Sequence, residues 1–205
     1  MPKEDLPASR YHHGDLRSAL VAAARDIVER EGPEEVSLRA VARAAGVSQA
    51  APYHHFADKQ ALLAAVAADG FREFREVMLE RAGEAAAPYQ RLKGLGLGYV
   101  AYGVAHPALF RLMQGPAFQE NGIYPDLDAA RQKSYLPLAN AVADCLPGAS
   151  REKIRAACAG AWSIVHGMAI LASDGRLASL VDLSDLETAT EAIIYQLDIE
   201  KAPEA

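Results

Sequence analysis

Apolar residues recur along most of the chain with the spacing that places them on one face of an α-helix. In the first such segment the pattern stops at Gly32-Pro33, a typical helix end, and the apolar positions before it are Leu16, Leu20, Ala23, Ala24, Ile27 and Val28. Runs of β-branched and aromatic residues, which would signal strands, are missing. The pattern predicts an all-α protein of about nine helices.

Polar residues mark the helix boundaries in the first part of the chain. Ser37 is expected to cap a short second helix that ends at Gly46, because Ser is a favoured N-cap and Gly a favoured helix stop. Ser48 can cap a brief third helix, predicted from Gln49 to about His55. Asp58 is expected to cap a long fourth helix, which runs to about Gly83.

Proline and serine mark the boundaries further along. A helix over 88–105 should break at His106-Pro107, because proline disfavours helical geometry in the residue before it. Pro137 is expected to kink a helix over 126–145. Ser150 predicts the cap of the next helix, which ends near Ser173, and Ser184 with Glu187 forms a capping box for the last one, through about Leu197.

The length and charge of the chain are those of a globular protein. Its 205 residues are 51% hydrophobic and carry a formal net charge of −6, so they can bury a sizeable core in one large domain or two small ones. We expect two domains, at 13–60 and 61–200. Cys145 and Cys158 form no disulfide framework, and the N-terminus has no apolar signal segment, which together favour a cytoplasmic location.

One stretch allows a second interpretation. The 18 residues between Arg155 and Asp174, AACAGAWSIVHGMAILAS, include no Asp, Glu, Lys or Arg and reach the lower length limit for a membrane span. An apolar helix of this kind is also what a buried core or a subunit interface requires. Because the stretch has many small residues and stands alone, we predict a buried helix and no membrane association.

Residues 37–59, SLRAVARAAGVSQAAPYHHFADK, have the pattern of a helix-turn-helix. Gly46 permits the positive φ of the turn, and small residues around it let the two helices pack closely. The third helix opens with side chains that can lie against base edges in a major groove, namely Ser48, Gln49, Ala50 and Ala51. The side chains expected to reach phosphates are Arg39, Tyr53, His54, His55 and Lys59.

The run A-G-V-S-x-A-A-P-Y-x-H-F-x-D-K-x-A-L-L, from Ala45 to Leu63, resembles the DNA-binding domain of the tetracycline-repressor (TetR) family. The resemblance covers about residues 13–63. Two later runs, His106 to Met113 and Trp162 to Gly167, are similar to the WHG-type C-terminal domain found in some of these regulators. Pro52 departs from the family pattern, which more often has an aliphatic residue at this position.

The resemblance implies a homodimeric repressor that binds double-stranded operator DNA and is controlled by a small-molecule effector of unknown identity. By position, it implies that Ser37 and Arg39 contact the DNA backbone and that Gln49, Ala50 and Ala51 face the bases. The residues it assigns to the phosphates are Tyr53, His55 and Lys59. We expect the apolar helix 156–173 and the final helix, 184–197, to form the dimer interface.

The charge balance of the N-terminal part sets a condition on DNA binding. Residues 1–60 contain 8 basic and 9 acidic side chains, yet affinity for DNA comes largely from neutralising phosphates. The basic residues must therefore be segregated toward the DNA, and those expected there are Arg10, Arg17, Arg39, Arg43 and Lys59.

Aromatic and sulfur-containing residues of the second domain suggest an apolar pocket for the effector. The candidates are Tyr99, Tyr102, Phe110, Met113, Trp162 and His166, with a place in the core as the alternative for each of them. His166 is either a satisfied core histidine or a polar anchor for the ligand. Trp162 lies one turn before it on the same face, so the two side chains should act together.

Other motifs have simpler explanations. His54 and His55 are adjacent on a helix and diverge, so we expect no metal site and no cofactor. Ser150-Arg151-Glu152-Lys153 matches an SxxK pattern but is expected to be a helix cap, and the glycine-rich run 94–103 suits close helix packing or an open pocket wall. Two other functions remain: a small all-α enzyme that uses His166 or His106, and a protein-interaction module that does not bind DNA.

Overall fold

The structure is a computed structural model that describes residues 13–84, 87–118, 120–177 and 185–194. Within these ranges the chain is helical and has no strand, which confirms the predicted fold class. Three short 3₁₀ helices cover Pro33–Glu35, Ala51–His54 and Pro116–Phe118. The eight α-helices are α1 (His13–Glu31), α2 (Leu38–Ala44), α3 (Lys59–Ala82), α4 (Pro88–Ala105), α5 (Pro107–Gln114), α6 (Pro125–Cys145), α7 (Arg151–Ser173) and α8 (Leu186–Ile194).

The chain divides into two compact units, Met1–Val66 and Ala67–Ala205. The division falls inside α3, so this helix contributes its first residues to the N-terminal unit and the rest to the C-terminal unit. The boundary predicted after residue 60 lies in the same helix.

The N-terminal unit is a three-helix arrangement whose helix starts are fixed by the predicted caps. The hydroxyl of Ser37 accepts a hydrogen bond from the backbone N–H of Ala40 at 3.1 Å, and a carboxylate oxygen of Asp58 accepts one from Ala61 at 2.8 Å. Each interaction satisfies a donor that the first turn of a helix leaves without a partner. The side chains buried beneath include Leu20, Val28, Val41, Phe56 and Leu62.

The predicted third α-helix is wrong in type and length. In its place the chain forms one 3₁₀ turn, Ala51–His54, in which Ala51 N–H donates to Ser48 C=O at 3.0 Å and Tyr53 N–H donates to Ala50 C=O at 3.2 Å. Pro52 explains the difference, because it has no N–H to close an α-helical bond to Ser48. Shorter-range 3₁₀ bonds therefore replace the α-helical bonds at this point.

The C-terminal unit is built around α4, which packs against α5, α6, α7 and α8. The glycines of α4 let the backbone of α3 approach closely. A Cβ on Gly98 would lie 2.7 Å from Met78 Cα, and a Cβ on Gly94 would lie 2.5 Å from the carbonyl oxygen of Arg81. Such distances leave no space for any side chain. The glycine-rich run thus serves close helix packing, one of the two roles expected for it.

Most helix boundaries of the C-terminal unit follow the sequence. The break at His106-Pro107 separates α4 from α5, and the Ser150 hydroxyl caps α7 by accepting from Lys153 N–H at 3.2 Å. At α8, Asp185 takes the capping role: its carboxylate accepts from Thr188 N–H at 3.0 Å, and bonds with Thr188 lower the pKa of Asp185. Ser184 and residues 195–197, which the prediction included, lie outside the described residues.

Helix α7 is buried along one face only, which corrects the prediction of a buried helix. By length and composition it is apolar enough to cross a membrane, with a mean hydropathy of 1.4 over its most apolar 18 residues, of which 28% are buried. The buried face is formed by Cys158, Ala161, Val165, Met168 and Ala169. From Ala156 onward the uncovered face carries no charged side chain, with Ala156, Ala159, Gly160 and Ser163 exposed at helical spacing.

Candidate nucleic-acid interface and aromatic cavity

A tight turn around Gly46 connects α2 to the 3₁₀ helix. Gly46 has φ +67°, and a Cβ built there would meet nothing within 4 Å, so its conformation and not its size requires glycine. Gly46 N–H donates to Arg43 C=O at 3.2 Å, and Val47 N–H donates to Ala42 C=O at 3.0 Å. This pair of bonds is a Schellman motif, which ends α2 and reverses the chain.

We call residues 48–55 the recognition segment. It is anchored from beneath by Pro52 and by the adjacent Phe56, which are both buried. The side chains that point away from this anchor are exposed, and Tyr53 is 54% exposed although it is a large aromatic residue. The predicted contact residues are exposed at Ser48, Gln49, Ala50, Tyr53 and His54, and half-buried at Ala51 and His55.

Basic side chains lie on α2, which packs against the 3₁₀ helix of the recognition segment, and on α1. Arg39 and Arg43 are exposed on α2, and within the described residues neither forms an ion pair. The guanidinium of Arg17 lies 5.3 Å from the centre of the Phe56 ring, a cation–π contact that places its charge beside the segment. Lys59 is hydrogen-bonded within the N-terminal unit, because its ammonium donates to the backbone carbonyl of Glu34 at 2.7 Å.

Several of the acidic residues of this unit are balanced by arginines on their own helix. Arg25 lies 4.0 Å from Glu29, and Arg30 lies 3.5 Å from Glu31. On α2, Arg39 and Arg43 remain exposed, and their segregation toward DNA stays a prediction. Arg10 lies outside the described residues.

The C-terminal unit contains a cavity of about 680 Å³, in the size range of small-molecule sites. Helices α3, α4, α6 and α7 supply most of its wall, with an aromatic cluster at one end and polar side chains at the other. The lining residues are Phe71, Phe74, Met78, Tyr99, Met113, Gln114, Asn121, Asp128, Arg131, Gln132, Ser134, Tyr135, Leu138, Trp162, Ser163 and His166.

Hydrogen bonds connect three side chains at the aromatic end. The indole N–H of Trp162 donates to the Tyr99 hydroxyl at 3.0 Å, and that hydroxyl lies 2.9 Å from Nδ1 of His166. Burial raises the pKa of Tyr99 and lowers the pKa of His166, so both side chains are held in their neutral forms. The ring of Phe74 packs edge-on against Tyr99, with centroids 4.9 Å apart.

The polar end is built on α6. Arg131 donates to the carbonyl of Phe118 at 2.8 Å and lies 3.5 Å from the Asp128 carboxylate. Its guanidinium is also 5.8 Å from the centre of the Phe71 ring. Asp128 in turn accepts from Gly122 N–H at 2.7 Å. One charge of each sign therefore stands at this end, and each is already hydrogen-bonded.

Four of the six residues predicted for the ligand line this cavity: Tyr99, Met113, Trp162 and His166. The structure places the other two, Tyr102 and Phe110, in the core, at 2% and 1% exposure. The one hydroxyl proton of Tyr102 has two acceptors within reach, the backbone carbonyl of Gly70 at 3.2 Å and the carboxylate of Glu73 at 3.0 Å. Phe110 instead supports the cavity wall, with its ring 5.6 Å from those of Tyr99 and His166.

The contributions of α3 and α6 to the cavity were not predicted from the sequence. The sequence of α3 gave no sign that a cavity lies beside Phe74 and Met78. For Arg131 and Tyr135 on α6 no local signal exists. Their role follows only from helices that meet in three dimensions.

A second cavity, of about 650 Å³, also borders α6. Its rim includes Arg75, Arg91 and Lys133, and two of these are engaged in ion pairs, with Glu76 and with Asp144. It has no aromatic cluster, so the first cavity is the stronger candidate for an apolar ligand. No group of three or more His, Cys, Asp or Glu side chains suited to a metal occurs in the described part of the chain.

Comparison with known families gives matches to both units. Residues 20–66 match the family described as bacterial regulatory proteins, tetR family. Residues 92–197 match the tetracyclin repressor-like C-terminal domain. No curated protein matches the chain at a significant level.

Solved structures share the fold over most of the chain. A protein of unknown function from Rhodococcus sp. RHA1 is 33% identical, with a TM-score of 0.76 over 92% of this chain and 98% of that one. FadR from Bacillus subtilis, solved with stearoyl-CoA, is 14% identical, with a TM-score of 0.66 over 86% and 96%. A TetR family regulator from Marinobacter aquaeolei VT8 is 18% identical, with a TM-score of 0.63 over 88% and 94%.

Proposed function

Because the chain belongs to the tetR family of bacterial regulatory proteins and is thus a DNA-binding transcriptional regulator, we propose that it is a ligand-released repressor. A homodimer binds a palindromic operator through its two N-terminal units, and a small molecule in the aromatic cavity weakens that binding. The observation that carries the proposal is the exposed recognition segment, held from beneath by Pro52 and Phe56 and flanked by free arginines. Such a regulator acts on the chromosome, so we place it in the cytoplasm.

Each residue of the DNA-binding site has a distinct part in this proposal. Gln49 reads a base edge, because its amide can pair bidentately with adenine, while Ala50 and Ala51 let the backbone approach and touch thymine methyl groups. Ser48 lies beside Gln49 at the base edges. Tyr53 and Arg39 contact phosphates, joined by Ser37, His54, His55 and Lys59. Lys59 already bonds to Glu34 C=O, so it contributes with its remaining N–H donors.

Two substitutions separate base reading from phosphate binding. Gln49→Ala should lower the preference for the operator over scrambled DNA by about 1–3 kcal/mol. Arg39→Ala should weaken binding to every duplex and reduce the salt slope by about one unit. Arg30→Ala is the control, since it removes the same charge from a residue already paired with Glu31. Equal slopes for the Arg39 and Arg30 variants would contradict the phosphate role.

The dimer is proposed to form through the uncovered face of α7, with α8 beside it. That face presents Ala156, Ala159, Gly160 and Ser163 along a helix with no charge between Arg155 and Asp174. A smooth apolar stripe of this kind is typical of subunit interfaces. Two recognition segments related by a two-fold axis would then meet half-sites about one helical turn, or a multiple, apart.

Gly160→Glu tests the interface without disturbing the packing of the chain itself. A Cβ at Gly160 meets nothing within 4 Å, so the substitution should leave the fold intact and yield monomers in sedimentation. Arg151→Glu, a charge change at an exposed position on the opposite side of the same helix, should leave the dimer unchanged. A dimer that survives Gly160→Glu would place the interface elsewhere.

Helix α3 offers a route from the ligand to the DNA. Its later residues Phe71, Phe74 and Met78 line the aromatic cavity, and its first residues belong to the N-terminal unit. A ligand that shifts this helix changes the relative affinity of two dimer conformations for DNA, and couplings of this kind are typically about 1–3 kcal/mol. FadR, solved with stearoyl-CoA, shares only the fold with this chain, so we carry over a ligand in this unit but not its identity.

Two other functions are less well supported. As an enzyme the chain would need a reactive partner for His166 or His106, but His166 bonds to the Tyr99 hydroxyl and the His106 ring packs at a tilt against Tyr102, with centroids 4.7 Å apart. Substrate turnover that disappears in His166→Gln would support the enzyme. A protein-interaction module would leave promoter DNA unretarded at every concentration.

A further inference from the structure

The hydrogen-bond chain in the aromatic cavity has a direction set by its first member. The indole nitrogen of Trp162 can only donate, so the Tyr99 oxygen accepts from it at 3.0 Å. Tyr99 has one hydroxyl proton, and the ring nitrogen of His166 lies 2.9 Å away. With Trp162 as its donor, the Tyr99 hydroxyl can direct its one proton at Nδ1 of His166, which then accepts.

This direction determines the tautomer of His166. A neutral imidazole carries one proton, and an Nδ1 that accepts leaves that proton on Nε2. Burial lowers the pKa of His166, which favours the neutral ring over the doubly protonated one. The ring is held in place by Phe110, at 5.6 Å between centroids, and by Trp162, at 6.0 Å.

The Nε2–H group of His166 is therefore a hydrogen-bond donor in the cavity wall. Within the described residues, Nδ1 of His166 has a hydrogen-bond partner and Nε2 has none. Trp162 donates its proton to Tyr99 and Tyr99 donates its own to His166, so the aromatic end of the cavity presents the His166 N–H as its available donor. A molecule that fills the apolar space and leaves the N–H unpaired would incur the cost of a buried donor.

The charges in the wall do not favour an ionic ligand. Its two charged side chains, Asp128 and Arg131, have opposite signs, lie 3.5 Å apart and are each bonded to backbone as well. An anion brought among Phe74, Tyr99 and Trp162 would be desolvated without a free cation to compensate it. A protonated amine would place its own N–H donors against the N–H donor of His166, and no hydrogen bond could form between them.

We propose that the cavity selects an uncharged, largely apolar molecule with a carbonyl oxygen, as in a ketone, ester or lactone, and that this oxygen accepts a hydrogen bond from Nε2–H of His166. The proposal rests on the proposed function, in which this cavity holds the effector. It makes His166 the specificity-determining residue and Tyr99 the residue that positions its proton.

A pair of matched probes tests this selectivity. Methyl octyl ketone and the alkene in which a methylene replaces its oxygen have nearly the same shape, and only the ketone can accept a hydrogen bond. Trp162 is the only tryptophan of the chain and lines the cavity, so its fluorescence reports binding of either probe to the full-length protein. Comparing the ratio of the two Kd values among variants cancels the difference in their solubility.

The variants separate the hydrogen bond from the shape of the side chain. His166→Leu should reduce the ketone-to-alkene preference about tenfold, the value expected for one hydrogen bond. His166→Gln can keep an N–H near the position of Nε2 and should retain most of the preference. Octylamine and decanoate should bind more weakly than the ketone. An unchanged ratio in His166→Leu, tighter binding of decanoate, or no response to any probe would overturn the proposal.

The tautomer can be measured independently of any ligand. Long-range ¹H–¹⁵N spectra of the intact protein should show the proton of His166 on Nε2, and Tyr99→Phe should remove this preference. A proton on Nδ1 in the unsubstituted protein would overturn the proposal. If the tautomer or the carbonyl selectivity is not observed but the protein binds its operator, only the ligand proposal is wrong. If the protein selects carbonyl compounds but binds no operator, the proposed regulator function is wrong.

Discussion

The N-terminal and C-terminal units place their functional side chains in different ways. In the N-terminal unit, hydrogen bonds between residues close in sequence, at Ser37, Asp58 and Gly46, fix the backbone, and the candidate contacts lie on the surface. In the C-terminal unit the candidate contacts come from five helices, α3 to α7, and Tyr99 and His166 are 67 residues apart. One site therefore depends on local geometry and the other on the packing of distant helices.

Glycine illustrates the contrast. Gly46 lies at φ +67° in open space, so a side chain there would fit but would strain the backbone. Gly98 lies in an ordinary helix but has the backbone of α3 against it, so a side chain would have no room. Glycine is thus required in the N-terminal unit for its backbone conformation and in the C-terminal unit for the close packing of two helices.

Among substitutions that probe this contrast, Gly98→Ala should have the largest effect on stability. The new methyl group would lie 2.7 Å from Met78 Cα, where backbone cannot give way, and overpacking of this kind costs about 3 kcal/mol. Denaturant unfolding measures the loss. Ala105→Ser adds one heavy atom at an exposed position of α4 and should change stability by less than about 0.5 kcal/mol. Equal stabilities for the two variants would refute the close approach of α3 and α4.

Gly46→Ala should cost less, about 1–2 kcal/mol, because it forces a non-glycine residue into left-handed geometry. Gly46→Asn should recover part of the loss, since Asn tolerates this conformation. Thermal unfolding of the two variants provides the measurement. If Asn were as damaging as Ala, sterics and not backbone conformation would determine the residue at this turn.

The pH dependence of His166 should be the smallest effect. Its pKa in the folded chain is lowered from the ordinary value of 6.5, so below that pH the unfolded chain takes up a proton before the folded one does. Stability should therefore fall as pH drops below about 6.5, and His166→Gln should lose this part of the slope. Unfolding free energies measured from about pH 8 to about pH 5 compare the two proteins. Parallel curves would show that burial does not act on this imidazole.

Features that depend on neighbouring residues could be predicted from the sequence, whereas contacts between distant helices could not. The caps at Ser37, Asp58 and Ser150 and the break at His106-Pro107 depend on neighbouring residues, and the structure confirms them. The third helix was predicted from the Ser48 cap, and that cap gave no sign that the missing N–H of Pro52 leaves a 3₁₀ turn in its place. The cavity was predicted only in part, because no spacing along α6 shows that Arg131 and Tyr135 meet residues of α3 and α7.

Operator selection by the full-length protein tests the central claim, that an exposed segment near the N-terminus reads duplex DNA in a symmetric pair. Sequences bound from a random pool should converge on an inverted repeat, and binding should follow two chains per duplex with a linear loss of log affinity against log salt. Gln49→Ala should flatten the preference at one position in each half-site. Selection that yields no common sequence, or a repeat whose affinity is indifferent to Gln49, would contradict the account.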